Sequence, residues 1–119
     1  MQKVSLAKVS LTALADELMA QAAGSANGRS ARTVYGGLDH ELHHTVVALQ
    51  AGRELGDHVS PGEGSIQVLR GRVRSVTGGT EEQVAAGEMI AVPDLRQTVE
   101  AAEDSVMLIT VVKQHAADR

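Results

Sequence analysis

An all-β domain with one helix in front of it is the architecture this chain predicts, and three observations lead there. Apolar residues recur at helical spacing over Leu11, Leu14, Ala15, Leu18 and Ala22. From Ala31 onward, short stretches rich in Val, Ile, Leu and Thr are separated by Gly, Pro, Asp and Asn at close and fairly even intervals, the pattern of an antiparallel sandwich or barrel. No helical pattern interrupts those stretches, which argues against an alternating α/β sheet.

The helix has its signals at both ends. Ser10 or Thr12 is placed to cap its first turn and Gly24 to end its last. An amphipathic helix of this kind covers a core or a partner. The run "GSANGRS" that follows is small and polar, a linker. Residues 1–30 are therefore read as helix and linker and residues 31–119 as the β domain, with one core in all, since 119 residues are too few for two.

The expected strands run Ala31 to Tyr35, Thr45 to Leu49, Ser65 to Leu69, Arg72 to Val76, Glu82 to Val84, Met89 to Val92, Thr98 to Ala101 and Val106 to Lys113. "TGGTEE" signals a hairpin, because Gly78 and Gly79 supply the positive φ that tight hairpin turns require. The last segment, "SVMLITVVK", is apolar at nearly every position. Both its faces should be buried, one in the barrel and one against the helix or a second subunit. No internal repeat or low-complexity tract is present.

Composition narrows the function classes. There is no cysteine, so disulfides, thiolate metal sites and a cysteine nucleophile are excluded, and any metal must be held by nitrogen and oxygen. A formal net charge of −4 disfavours general affinity for nucleic acid or anionic membrane. Tyr35 is the only aromatic residue besides histidine, so stacking on bases or sugar rings lacks a platform. With no apolar run of signal or membrane length, the chain is expected to be soluble and cytoplasmic. The expected partners are a small organic molecule and a second copy of the chain. A homodimer would bury the apolar strands and cover a sheet edge, for which Ala31 to Tyr35 is the candidate.

Two short motifs carry a family resemblance. Gly52 is followed after five residues by His58, and "PGEGSIQVLRG" ends at Gly71; later, Gly87 is followed after five residues by Pro93 in "GEMIAVP". In that frame, covering roughly Thr45 to Lys113, the chain resembles the cupins, small jelly-roll barrels. The resemblance implies a cupin jelly-roll barrel behind the N-terminal helix. It also implies a divalent metal held by three histidines and one glutamate, a set suited to iron, manganese, nickel, copper or zinc.

The ligand positions depart from the family pattern. His58 stands at the first, Ser60 replaces the second histidine, the glutamate position falls on Gly64 with Glu63 one residue early, and the last histidine aligns with Gln97 or Thr98. Three readings follow. A rearranged metal site would use His58, His44, Glu63 and Gln97, with "DHELHHT" supplying His40, His43 and His44 just ahead of the first motif. A metal-free pocket would bind a small polar ligand through His58, Ser60, Gln97 and Thr98. A plain structural reading leaves His40, His43 and His44 in an exposed loop and His58 hydrogen-bonded at the barrel mouth.

The functional expectation is a small ligand-binding cupin of unassigned activity, with no cofactor. The alternative is a metal-dependent oxygenase or isomerase acting on a small organic acid or ketone, and a ligand-sensing regulatory module stands third. Arg70, Arg72 and Arg74 alternate along one segment and are expected to share one solvated face, answered by Glu81 and Glu82 across the hairpin. No nucleophile elbow or phosphate-cradling loop occurs, so no catalytic residue is assigned.

Overall fold

The computed structural model describes residues 8–55, 58–59, 63–92 and 96–112. It opens with helix α1 (Leu11–Ala23). Of the two capping residues the sequence offers, Ser10 is the one used: its hydroxyl accepts the Ala13 N–H at 3.2 Å. At the other end the Gly24 N–H returns to the carbonyls of Ala20 and Gln21. Leu14, Ala15, Leu18 and Ala22 form the buried stripe.

The strands are β1 (Arg29–Tyr35), β2 (Leu42–Leu49), β3 (His58–Val59), β4 (Gly64–Arg70), β5 (Arg72–Thr77), β6 (Thr80–Ala85), β7 (Met89–Val92), β8 (Arg96–Ala101) and β9 (Ser105–Val112). They form a five-stranded sheet in the order β1-β2-β9-β4-β7 and a four-stranded sheet in the order β3-β8-β5-β6. All pairings are antiparallel, and the two sheets make a jelly-roll barrel behind the helix. Every expected strand is present, most of them longer than expected. β3 had no counterpart, because two residues carry no periodicity to read. Lys113, the expected end of the last strand, lies outside the described residues. The hairpin closes as its glycines require: Thr77 pairs with Thr80 across Gly78 and Gly79, at φ 55° and 84°.

Two cores lie on opposite faces of the five-stranded sheet. Between the sheets, Val47, Leu49, Ile66, Val68, Val73, Val84, Val99 and Met107 fill the barrel. Behind the large sheet, Val46, Ala48 and Val106 pack against Leu14, Ala15, Leu18 and Ala22 of the helix. Strands β2 and β9 are thus buried on both faces, which explains the unbroken apolar run of the last segment. Among the described residues no helix is long and apolar enough to cross a membrane.

The arginine series is not one stripe. Gly71, at φ 76°, turns the chain between β4 and β5, so Arg70 belongs to the large sheet and Arg72 and Arg74 to the small one. A Cβ at Gly71 would run into the Asp104 carbonyl oxygen and the Ser105 hydroxyl, so the corner needs glycine for space as well as for conformation. Arg70 pairs with Asp16 of the helix at 2.6 Å. Arg72 meets Glu103 at 3.3 Å, and Arg74 meets Glu100 at 3.0 Å and Glu81 at 3.5 Å. Glu82 takes no part in this outer face. It sits opposite Ser75, on the barrel side.

A bidentate ion pair ties the helix to β1: Arg32 donates to the two Glu17 carboxylate oxygens at 3.2 and 2.9 Å. The hydrogen bond from Arg32, then its charge, holds the Glu17 carboxyl below its ordinary value of 4.5. The pair therefore contributes above that value and its contribution fades as pH falls through the lower, folded value. Being exposed, it contributes little.

Leu18→Ala should cost about 3 kcal/mol in urea unfolding, because Leu18 is wholly buried. A loss under about 0.5 kcal/mol, the range of an exposed site, would mean that the helix is not docked. Arg32→Ala should lower the urea midpoint slightly at neutral pH. The difference from wild type should vanish on acidification; a difference that persists or grows in acid contradicts the ion pair as its cause.

Candidate functional site

The alternation of side chains across the strands decides which residues can meet. In β5 and β6, Val73 and Val84 belong to the barrel core, so Ser75 and Thr77, with Thr80 and Glu82 opposite them in the register, face the same interior. In β8, Val99 and Ala101 are core residues, which puts Gln97 inside as well. Together Ser75, Thr77, Thr80, Glu82 and Gln97, with Ile90 and Ala91 of β7, line a cavity of about 260 Å³ at one end of the barrel.

Gln97 forms the floor of that cavity and is 1% exposed. Its amide Nε2 donates to the Ser75 hydroxyl at 2.9 Å. Its Oε1 is buried and has no hydrogen-bond partner among the described residues. A buried acceptor left unpaired costs on the order of 1–3 kcal/mol, so a wall of this kind is suited to a molecule that supplies the missing donor.

The sequence-derived site residues divide into two groups. His58 stands directly opposite Gln97 in the β3–β8 register, so the backbone brings these two together. Ser60 lies outside the described residues. Thr98, opposite Val76, is one residue out of step with Gln97 and belongs to the outer face of the small sheet; adjacent strand residues cannot both line the cavity.

His44 is in β2, not in a loop, and it has the parity of Val46 and Ala48, which pack on the helix. Its Nδ1 is hydrogen-bonded to the Thr110 hydroxyl at 2.9 Å, on the face of the large sheet turned away from the barrel. Glu63 is exposed in the bend before β4, its carbonyl accepting the Val112 N–H at 2.8 Å. The quartet His58, His44, Glu63 and Gln97 is therefore not assembled, because a sheet separates His44 from Gln97.

The metal that the fold family implies does not fit the described residues. At Gly64, the position of the family's glutamate, a Cβ would lie 2.5 Å from the Thr110 carbonyl oxygen, so a longer side chain has no room there. Among the described residues no three His, Asp or Glu side chains are grouped to hold an ion. The cavity presents one carboxylate, one amide and hydroxyls, a poor set for a transition metal.

Sequence reasoning missed Ser75, Thr77 and Thr80 and set Glu82 on the wrong face. The signal was present: counting by twos from the apolar residues Val73 and Val84 reaches all four.

A second cleft, of about 520 Å³, lies outside the barrel between the start of the helix, β1, β2 and β9. A register shift between Thr33 and Tyr35 sets Tyr35 opposite His44 there. Its other walls are mainly Val9, Leu11, Val34, Leu42 and Leu108, and it contains no buried unpaired polar side chain among the described residues. The smaller cavity is the better candidate because, among the described residues, the one buried side-chain atom with an unmet hydrogen-bonding demand belongs to its lining.

Fold and site define a small single-barrel jelly roll with a polar cavity at its mouth. The chain is 30% identical to a conserved protein of unknown function from Streptococcus pyogenes, whose structure matches 77% of this chain and 80% of that one with a TM-score of 0.69. A cupin superfamily protein from Desulfitobacterium hafniense matches 72% of this chain and 78% of its own at a TM-score of 0.68 and 10% identity. A cupin 2 conserved barrel domain protein from Leptotrichia buccalis, 25% identical, matches 71% of this chain and 41% of its own, with a TM-score of 0.66. No family model and no curated protein matches the chain. The chain belongs to the cupin superfamily.

The double variant Ser75→Ala with Gln97→Leu should be at least as stable as wild type, because it removes the unpaired buried Oε1 together with both members of the Nε2–Ser75 hydrogen bond and keeps nearly the same shape. Equilibrium denaturation measures this. A loss of more than about 2 kcal/mol, typical of a truly structural buried pair, would show that the two residues serve the fold and not a site.

Proposed function

We propose that this cupin binds a small organic ligand in the barrel mouth without a resident metal, with Gln97 as the principal contact and His58 beside it. The observation that carries the reading is the Gln97 amide in the lining of the cavity, anchored through Nε2 on Ser75 and with a buried Oε1 that has no partner among the described residues. The roughly 260 Å³ available is below the range of drug-sized ligand sites, so the ligand is small. The metal-dependent oxygenase or isomerase reading has no support from the described residues, since Gly64 leaves no room for the glutamate and His44 faces the other way.

Self-association through β1 is part of the same proposal. β1 is an edge strand, and its barrel-side residues Arg29, Ala31 and Thr33 stay exposed while its other face meets the helix. Light scattering should give twice the chain mass; the mass of one chain would refute pairing.

Two measurements test the binding reading. Elemental analysis of tag-free protein should find no stoichiometric transition metal, either in wild type or in His58→Ala. Stoichiometric metal that disappears in the variant would overturn the metal-free site. A library of small polar fragments, followed by amide NMR shifts, should yield ligands that move the Gln97 side-chain amide and are lost in Gln97→Leu. Ligands that bind equally well to Gln97→Leu would place the site elsewhere.

A further inference from the structure

We infer that the barrel-mouth cavity selects a small aliphatic amine and rejects carboxylates of the same size, an inference that rests on the cavity being a ligand site. Ser75, Thr77 and Thr80 offer hydroxyls, which donate or accept as required. Ile90 supplies an apolar wall for an alkyl body. Among the described lining residues the two remaining polar side chains are Gln97 and Glu82.

The Ser75 hydroxyl can accommodate either end of the Gln97 amide, so the amide alone does not choose between ligands that donate and ligands that accept. In the arrangement found, Nε2 is spent on Ser75 and the free atom is an acceptor. Glu82 decides the sign independently. A carboxylate only accepts, and it would repel a second carboxylate brought into the same small space.

No cation among the described lining residues offsets that charge. The nearby arginines of β5, Arg72 and Arg74, are on the outer face, engaged with Glu103, Glu100 and Glu81. An ammonium group offers three donors and no acceptor, the complement of a lining made of a carboxylate, hydroxyls and an amide whose oxygen is unpaired among the described residues.

The test uses the full ¹⁵N-labelled chain titrated separately with propylamine, propionamide and propionate, three probes of one skeleton. Propylamine should shift the Gln97 side-chain amide and the backbone amides of Thr77 and Thr80 to saturation, and Glu82→Gln should weaken it about tenfold, as for loss of one charge-assisted contact. Propionate should leave those signals in place. Because Glu82 is exposed, the variant is expected to keep the wild-type unfolding midpoint, which separates loss of binding from loss of fold.

Propionate or propionamide binding more tightly than propylamine at these signals would overturn the amine assignment and leave the ligand site standing. Propylamine binding unchanged in Glu82→Gln would overturn it as well. If none of the three probes moves the Gln97 amide, the reading of the cavity as a ligand site falls together with the inference.

Discussion

The constraint on which the rest depends is that β2 and β9 at the centre of the large sheet are buried on both faces. One face closes the barrel through Val47, Leu49 and Met107, and the other carries the helix through Val46, Ala48 and Val106. A slip of one residue in either strand would exchange the two sets completely. Because the two cores differ in shape, one a barrel interior and the other a helix groove, the exchange would spoil packing on both sides at once. Register is therefore held tightly, and every side chain on these strands has a fixed side.

That fixed side is what takes the histidines apart. His44 shares the parity of Val46 and Ala48, so it is committed to the helix face, where Thr110 and Tyr35 meet it. No local rearrangement of β2 could bring it into the barrel without moving Val46 and Ala48 out of their core. On the opposite wall the same logic works in favour of a site. Val73, Val84 and Val99 anchor their strands in the core, and the polar residues at even steps from them, Ser75, Glu82 and Gln97, converge on the cavity.

Most of the fold was legible in the sequence because the signals were local. The helix had its stripe and its cap at Ser10, and the strands had β-branched runs broken by turn residues. What was not legible depended on register, which no single strand contains. Glu82 read as a surface partner for arginine until its pairing with Ser75 placed it on the barrel-side face, at the exposed rim of the cavity. The arginine series read as one stripe because its spacing is even, and only the turn at Gly71 divides it between two sheets. β3 was invisible because His58 and Val59 are held by β8 and not by any preference of their own. The motif frame of glycines and Pro93 located the barrel mouth, while the residues that give the mouth its chemistry lie outside those motifs.

The same packing logic bears on the family's metal position. A metal centre is held together by several strong donors, and at Gly64 one of them is replaced by a residue whose missing side chain lets β4 lie close against Thr110. Closer sheet packing at that point and a glutamate ligand are mutually exclusive. Burying an amide at this end of the barrel without a full set of partners works against stability. Gln97 sits in that position with one half of its amide fixed and the other half unmet. In a domain whose remaining core between the sheets is Val, Leu, Ile, Ala and Met, an apolar residue would satisfy folding at least as well. The fold alone therefore gives no reason for an amide at this position, which is the ground on which the proposed ligand site rests.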